Sequence, residues 1–367
     1  MISTLAEIIP LIPKHDVEVL YVDDSSPDGT ALEVEKAMRL YPWLHLLGGS
    51  QKQGLGVAYA RGMTYAMKKM HADWLMEFDA DFQHPPRDIP RMIEQIDRGF
   101  DYIIASRYIP GGSIPGAWSF DRKFLSVVGN LVGRVGLLTL GVHDVTGGFK
   151  LSRVKGFMDQ FDFSALYSKS FAYKVQLLHY MVQKGARVKE LPFHFSPRTE
   201  GKSKIIKNEM QETIRVIFLI QLHNPATIKF FKFGVVGGFG FVINYLGLIY
   251  FNKTYSGLPF PIGVINFLAN ATAAEISIIS NFIFNNLWTF SQDKISRVSQ
   301  LISKFLAFNF SSVLGGILVP SLIIGLGTQV FGDRYRTLFL VLAVFGFTVP
   351  YNWFIYNKFI WQKKPRA

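Results

Sequence analysis

The spacing of apolar positions changes character partway along the chain. Over roughly the first 200 residues, short apolar runs alternate with charged segments; from about Phe230 onward, long uncharged stretches dominate. In the first part, residues 17–22 are apolar and β-branched between polar turns, and residues 43–47, 72–78, 102–105 and 187–195 read as further strands. Helical spacing runs over residues 28–40, with Ser26 or Asp28 as the expected N-cap, and over residues 54–70, 120–141 and 171–184. Such alternation predicts an α/β domain with a largely parallel sheet. Ligands of these sheets sit beyond the carboxyl ends of the strands. Asp23-Asp24 and the pair Asp79/Asp81 both fall at such ends.

The second part follows a different rule. Residues 208–223 form an amphipathic helix, with Glu209, Glu212 and Arg215 on one face and Met210, Ile214, Ile217 and Phe218 on the other, suited to a membrane interface. Four apolar segments follow, near residues 229–251, 262–288, 304–327 and 337–359. Each reaches the roughly 20 residues that cross a bilayer. The expected organisation is therefore a soluble domain over residues 1–205, a linker over 206–226 and an all-α four-span domain over 227–367. Lys and Arg cluster before the first span, in the second loop (Lys294, Arg297, Lys304) and at the chain end, whereas the first loop holds only Lys253. That bias places both termini in the cytoplasm. An internal repeat is visible: Asn281-Phe282, Asn286, Trp288 and Phe290 recur as Asn352-Trp353, Asn357, Phe359 and Trp361. Gly237-Gly238 and Gly315-Gly316 are expected to allow close helix packing. Glu275 lies inside the second span, where a carboxyl is costly and has either a hydrogen-bond partner or a contact with a lipid carrier.

Composition narrows the partners. The 367 residues carry a formal net charge of +12 and a mean hydropathy of +0.21. A basic excess suits anionic partners. There is no cysteine, which excludes disulfides and thiolate metal sites. The first residues show no basic segment and no long apolar core, so no cleaved signal peptide is expected. The stretch Asp79-Ala80-Asp81-Phe82-Gln83-His84-Pro85-Pro86 follows a strand and precedes a helix. Two carboxylates there suit either a polar turn or a divalent cation with oxygen ligands and positions open to phosphate. Arg198 to Lys204 is a basic glycine-containing loop, either a solvated linker or an anion clamp.

Taken together, Asp23-Asp24-Ser25-Ser26-Pro27-Asp28-Gly29-Thr30, Gly54-Leu55-Gly56, Asp79 to Pro86, Ser106-Arg107-Tyr108, Arg122, Thr146-Gly147-Gly148-Phe149 and Arg198 to Lys204 strongly resemble family-2 glycosyltransferases of the Rossmann-like GT-A fold. Within them the chain looks most like dolichol-phosphate mannose synthases and related polyprenyl-phosphate hexose transferases. The Arg-Trp pair of processive polysaccharide synthases is absent. The second half resembles the GtrA-type four-helix membrane domain. The family opens with a strand ending in a nucleotide-contacting motif, and this chain begins where the helix after that strand should start. A misplaced start is the expectation.

The resemblance implies roles. Asp23, Asp24, Asp28, Asp79 and Ala80 would bind the nucleotide-sugar, with Asp81 and Gln83 as ligands of Mg²⁺ or Mn²⁺. Asp79, Asp81, Arg107 and Arg122 would be catalytic, and Arg122, Arg198, Ser203 and Lys204 would hold the acceptor phosphate. The expected reaction is inverting transfer of a hexose, mannose from GDP-mannose foremost, to a polyprenyl phosphate at the cytoplasmic face, with no nucleic-acid partner. UDP-glucose with undecaprenyl phosphate, translocation of the lipid-linked sugar, and a non-catalytic anchor are the alternatives. His84, before two prolines, is expected to be structural rather than a base.

Overall fold

The computed structural model describes residues 1–196 and 207–362. Arg198, Ser203 and Lys204 lie outside the described residues. The chain forms two compact units, Met1–Leu222 and His223–Ala367.

In the first unit the strands are β1 (Val19–Asp23), β2 (Leu44–Gly48), β3 (Trp74–Glu77), β4 (Tyr102–Ser106), β5 (Lys150–Arg153) and β6 (Val188–Pro192). The helices are α1 (Ile2–Ile8), α2 (Thr30–Met38), α3 (Leu55–Lys69), α4 (Ile89–Asp97), α5 (Phe120–Gly136), α6 (Tyr173–Gln183) and α7 (Lys207–His223). The sheet departs from the largely parallel expectation. β1 and β2 form a parallel pair, and a separate mixed sheet has the order β3-β5-β4-β6. β5 runs antiparallel to both β3 and β4. The reason is where the chain re-enters the sheet: α5 does not carry it back to the far end before β5. Asp144 already binds the backbone N–H of Arg107 at the carboxyl end of β4, so the next strand must run back. Among the described residues, β1 pairs on one side only, with β2, and β3 only with β5. Residues of both strands line one cavity of about 1800 Å³.

Two further differences are local. α2 starts at Thr30 rather than at 28, because Gly29 takes a left-handed φ of 82°. Asp28 still satisfies the helix start, its Oδ1 accepting from the Thr30 N–H and hydroxyl at 3.0 and 2.7 Å. α5 stops at Gly136, before the expected 141, as Leu138 turns at φ 55°. The core has two main clusters. One gathers Leu5, Ile8, Ile89, Met92 and Ile103 around β4 and α4, and the other Leu75, Ile104, Leu177, Leu178 and Met181 under α6. The segment expected as a linker, α7, packs Val216, Ile217 and Ile220 against Leu137, Ala172 and Val175 of the first unit. Its other side exposes Ile214, Phe218 and Leu222.

Among the described residues, the second unit contains four helices long and apolar enough to cross a membrane: Pro225–Tyr255, Ile262–Thr289, Val298–Phe331 and Asp333–Ile360. The sequence repeat meets itself inside. Phe290 and Trp361, equivalent positions, stack at 4.4 Å with planes 12° apart. Ser277 donates to the Gly240 carbonyl at 2.7 Å, and its counterpart Thr348 donates to the Gly315 carbonyl at 2.8 Å. The glycines that meet a neighbouring helix include Gly240, against Asn281, Gly247, against Ala273, Gly315, against Tyr351, and Gly327, against Phe339; of the four expected at close packing, Gly237, Gly238 and Gly316 face open space. Glu275 lies on the outer face of this unit, its Oε1 accepting from Asn309 Nδ2 at 2.7 Å.

Asn286 is the polar centre of the unit. Its Oδ1 accepts from the Ile295 N–H at 2.9 Å and from Trp361 Nε1 at 3.0 Å, and its Nδ2 donates to the Ile295 carbonyl at 3.2 Å. Replacing Asn286 by Ala strands buried donors at a cost of about 1–3 kcal/mol each. A melting curve in detergent should therefore show a clear fall in unfolding midpoint for N286A; a midpoint within one or two degrees of the parent contradicts this account.

Candidate active site

The cavity is lined from one side by Asp23, Asp24 and Ser25, from the floor by Asp79, Ala80, Asp81 and Gln83, and from the far wall by Arg107, Arg122, Thr146, Gly147 and Gly148. All of these are among the positions singled out from sequence; of the other candidates, Arg198, Ser203 and Lys204 lie outside the described residues, Glu275 belongs to the second unit, and Asp28 is not in the lining. Asp28 is exposed and satisfies the start of α2 as described.

Asp23 ends β1, buried, with its Oδ2 accepting from the Ser26 N–H at 3.1 Å. Asp24 is held by Arg61 of α3 at 2.7 Å. Ser25, at φ 60°, bends the chain so that its hydroxyl reaches the Gly49 carbonyl beyond β2 at 2.6 Å. The first carboxylates are thus fixed by a turn rather than left on a floppy loop.

The turn after β3 is tighter. Phe82 adopts φ 60°, and the Gln83 N–H closes onto Asp81 Oδ1 at 3.1 Å. Gln83 Nε2 donates to the Ser196 carbonyl at 3.4 Å, so the amide oxygen is the acceptor end of this side chain. Asp79 is held by Tyr59, whose hydroxyl donates to its Oδ1 at 2.7 Å, while its backbone N–H donates to His84 Nδ1 at 3.0 Å. His84 is buried and stacked on Phe149 at 5.1 Å. Burial, only partly offset by Asp79, pulls its pKa down to about 4. At neutral pH it is therefore uncharged, with its proton on Nε2, a structural prop of the turn.

Arg107 is the surprise of the far wall. Its Nε and Nη2 form a two-pronged pair with Asp144 at 2.8 Å each, and Nη2 also donates to Thr146 at 2.9 Å. Burial opposes both charges, but each outweighs that penalty for the other: Arg107 is raised and Asp144 is lowered. Asp144 also accepts the Gly147 N–H at 2.8 Å, so this pair shapes the Thr146-Gly147-Gly148 loop. Arg122 stands on α5 with its guanidinium 3.9 Å over the Trp118 ring. The same helix lines the cavity with Leu125, Ser126 and Gly129. Its opposite side exposes Phe120, Phe124, Val127, Leu131 and Val135, a continuous apolar stripe.

Sequence reasoning missed Tyr59, Glu77, Asp144, Lys150 and Lys174. Glu77 and Lys150 face each other across β3 and β5. Both are fully buried; burial raises the pKa of Glu77 and lowers that of Lys150 to about 8. A signal was present. Lys174 falls on the i, i+3, i+4, i+7 stripe with Leu177, Leu178 and Met181, and Glu77 interrupts an apolar strand.

Among the described residues no three His, Cys, Asp or Glu side chains gather around one point. A cation here would instead be held by few protein oxygens, those of Asp81 and Gln83, and complete its shell with ligand oxygens. That donor set fits Mg²⁺ or Mn²⁺, which take oxygen and keep several positions for water or phosphate.

Residues 2–161 match the glycosyl transferase family 2, and residues 232–361 match the GtrA/DPMS transmembrane domain. A dolichol-phosphate mannosyltransferase of Pyrococcus furiosus is 31% identical over 335 residues, 91% of this chain and 88% of that protein. A polyprenol monophosphomannose synthase of Mycolicibacterium smegmatis is 35% identical over 54% of this chain and 74% of its own length. An undecaprenyl-phosphate mannosyltransferase of Micrococcus luteus is 35% identical over 55% and 80%. The two family matches, the four apolar helices and a relative aligned over most of both chains make this chain an integral membrane glycosyltransferase, a member of glycosyl transferase family 2 with a GtrA/DPMS transmembrane domain.

Proposed function

We propose that the chain transfers mannose from GDP-mannose to a polyprenyl phosphate, with inversion at the anomeric carbon. The observation that carries this reading is α5: it sets Arg122 in the lining of the cavity that the carboxylates share and exposes an apolar stripe on its opposite side. A lipid phosphate needs that combination, a cationic grip for its head beside a surface that accepts its chain. The exposed stripe Ile214, Phe218, Leu222 on α7 extends the same character.

The acceptor needs no general base. A phosphate monoester has a second pKa of about 6 and is largely dianionic at neutral pH, so it is already a nucleophile. The work of the protein is to bring two anions together. Asp23 and Asp24 bind the nucleoside side of the donor, and Asp79 and Ala80 its ribose or diphosphate. Asp81 and Gln83 hold a Mg²⁺ or Mn²⁺ ion, which supplies charge neutralisation for the departing nucleoside diphosphate. Arg122, together with Arg198, Ser203 and Lys204 outside the described residues, holds the acceptor phosphate. Arg107 acts through Asp144 by shaping the wall. The Lys and Arg bias of the loops supports a catalytic unit and both termini on the cytoplasmic side, where nucleotide-sugars are supplied. The donor test is direct. Offered radiolabelled GDP-mannose or UDP-glucose with a polyprenyl phosphate and Mn²⁺, the protein in liposomes should label lipid from GDP-mannose; label from UDP-glucose alone would replace the sugar and keep the reaction class.

Two substitutions separate the roles. Asp81→Ala should lower transfer roughly a hundredfold or more, the scale of removing one principal electrostatic contact at a transition state. Full metal-dependent transfer by that variant would refute the cation site. Arg122→Gln should weaken use of the lipid acceptor about 10- to 100-fold, as for one charged hydrogen bond of about 1.5–3 kcal/mol, and leave nucleotide binding intact. An acceptor KM that does not move, or a nucleotide affinity that falls with it, would take Arg122 out of the acceptor site.

A further inference from the structure

Behind the cavity wall, α6 buries a cation. Lys174 is fully buried on the same side of the helix as Leu177, Leu178 and Met181. Its ammonium has no hydrogen-bond partner among the described residues. Asp79 Oδ2 lies 3.8 Å away, and the Phe171 and Tyr59 rings lie 4.3 and 5.3 Å from it. A buried ammonium is strongly disfavoured unless an anion compensates it. Glu77, fully buried nearby, stands opposite Lys150 in the strand register, takes the Tyr173 hydroxyl at 2.6 Å and also feels the charge of Lys174, whereas the half-buried Asp79 is the carboxylate that borders the cavity. Lys150 in turn reaches the Lys174 backbone carbonyl at 3.4 Å. The fit is close on the cavity side as well, since any Cβ on Gly148 would strike Lys174 Nζ. Only glycine leaves the ammonium room between the loop and Asp79.

We propose that Lys174 is a positioning residue of the donor site. Its ammonium fixes the Asp79 carboxylate from behind, and so sets how that carboxylate meets the nucleotide-sugar. Tyr59 holds Oδ1 and Lys174 faces Oδ2, so both oxygens are restrained and the side chain has one orientation. The charge of Lys174 also compensates Asp79, and an anionic donor approaches a carboxylate that is already matched rather than one that repels it. This inference rests on the donor-site reading above.

A double-mutant cycle on the full-length protein in detergent tests it, with binding of Mn²⁺·GDP and Mn²⁺·UDP measured by calorimetry for the parent, Lys174→Met, Asp79→Asn and the double variant. If Lys174 acts through Asp79, K174M weakens the preferred nucleotide roughly tenfold in the parent and less than about twofold when Asp79 is already Asn. Equal loss in both backgrounds means Lys174 merely supports the fold and overturns the proposal, as does no loss in either. A parent that binds neither nucleotide overturns the donor-site reading itself, and this inference falls with it. Should K174M fail to fold, Gly148→Ala keeps the charge but pushes the ammonium off Asp79. It is expected to show the same nucleotide defect, and unchanged affinity in that variant overturns the proposal.

Discussion

The two-pronged pair between Arg107 and Asp144 is the contact on which the catalytic unit turns. It closes the end of β4 onto the segment that becomes β5, and both charges survive burial only because each faces the other. With Asp144 held there, the chain must reverse, β5 must run antiparallel, and Lys150 must come to rest opposite Glu77. The glycines of the wall follow from the same anchor, since Asp144 also fixes the Gly147 N–H. Removing one partner would leave the other charge buried and unmatched, a much larger loss than the pair itself is worth.

Much of this was legible in the chain. The strand-end carboxylates, the tight turn before two prolines and the cationic Arg122 all sit where spacing placed them, because each is dictated by a local rule. What failed was non-local. The antiparallel β5 depends on a contact between Arg107 and Asp144, 37 positions apart, that no periodicity encodes. Asp28, read both as an N-cap and as a donor-binding carboxylate, stands beside the helix start and outside the cavity lining: its Oδ1 accepts from Thr30, and the left-handed Gly29 takes the N-cap position. Lys174 was hidden in plain view, a charge on an apolar stripe that reads as noise until the neighbouring carboxylate is seen.

The membrane unit shows how a duplicated sequence becomes one core. Equivalent aromatic residues of the two halves, Phe290 and Trp361, stack on each other, and Asn286 of the first half accepts the indole N–H of the second. Its counterpart Asn357 donates instead to the Trp353 carbonyl of its own helix. The halves are thus related in sequence but not interchangeable in contact. Among the described residues, four segments, Asn285–Thr289, Leu314–Leu318, Leu342–Thr348 and Tyr356–Ile360, take π-helical rather than α geometry, and Gly315, Thr348 and Tyr356 within them take part in contacts between helices.

The division of the strands into two sheets carries a mechanical consequence. Asp23 and Asp24 ride on the β1-β2 pair, whereas Asp79 and Asp81 follow β3 of the other sheet, and no ladder of backbone hydrogen bonds joins the two among the described residues. The coupling between them runs through helix packing and side chains such as Tyr59 and Arg61 on α3. A molecule gripped by both sets of carboxylates is therefore a strut across a seam. Its binding energy adds directly to the cohesion of the unit, by RT ln(1 + [L]/Kd).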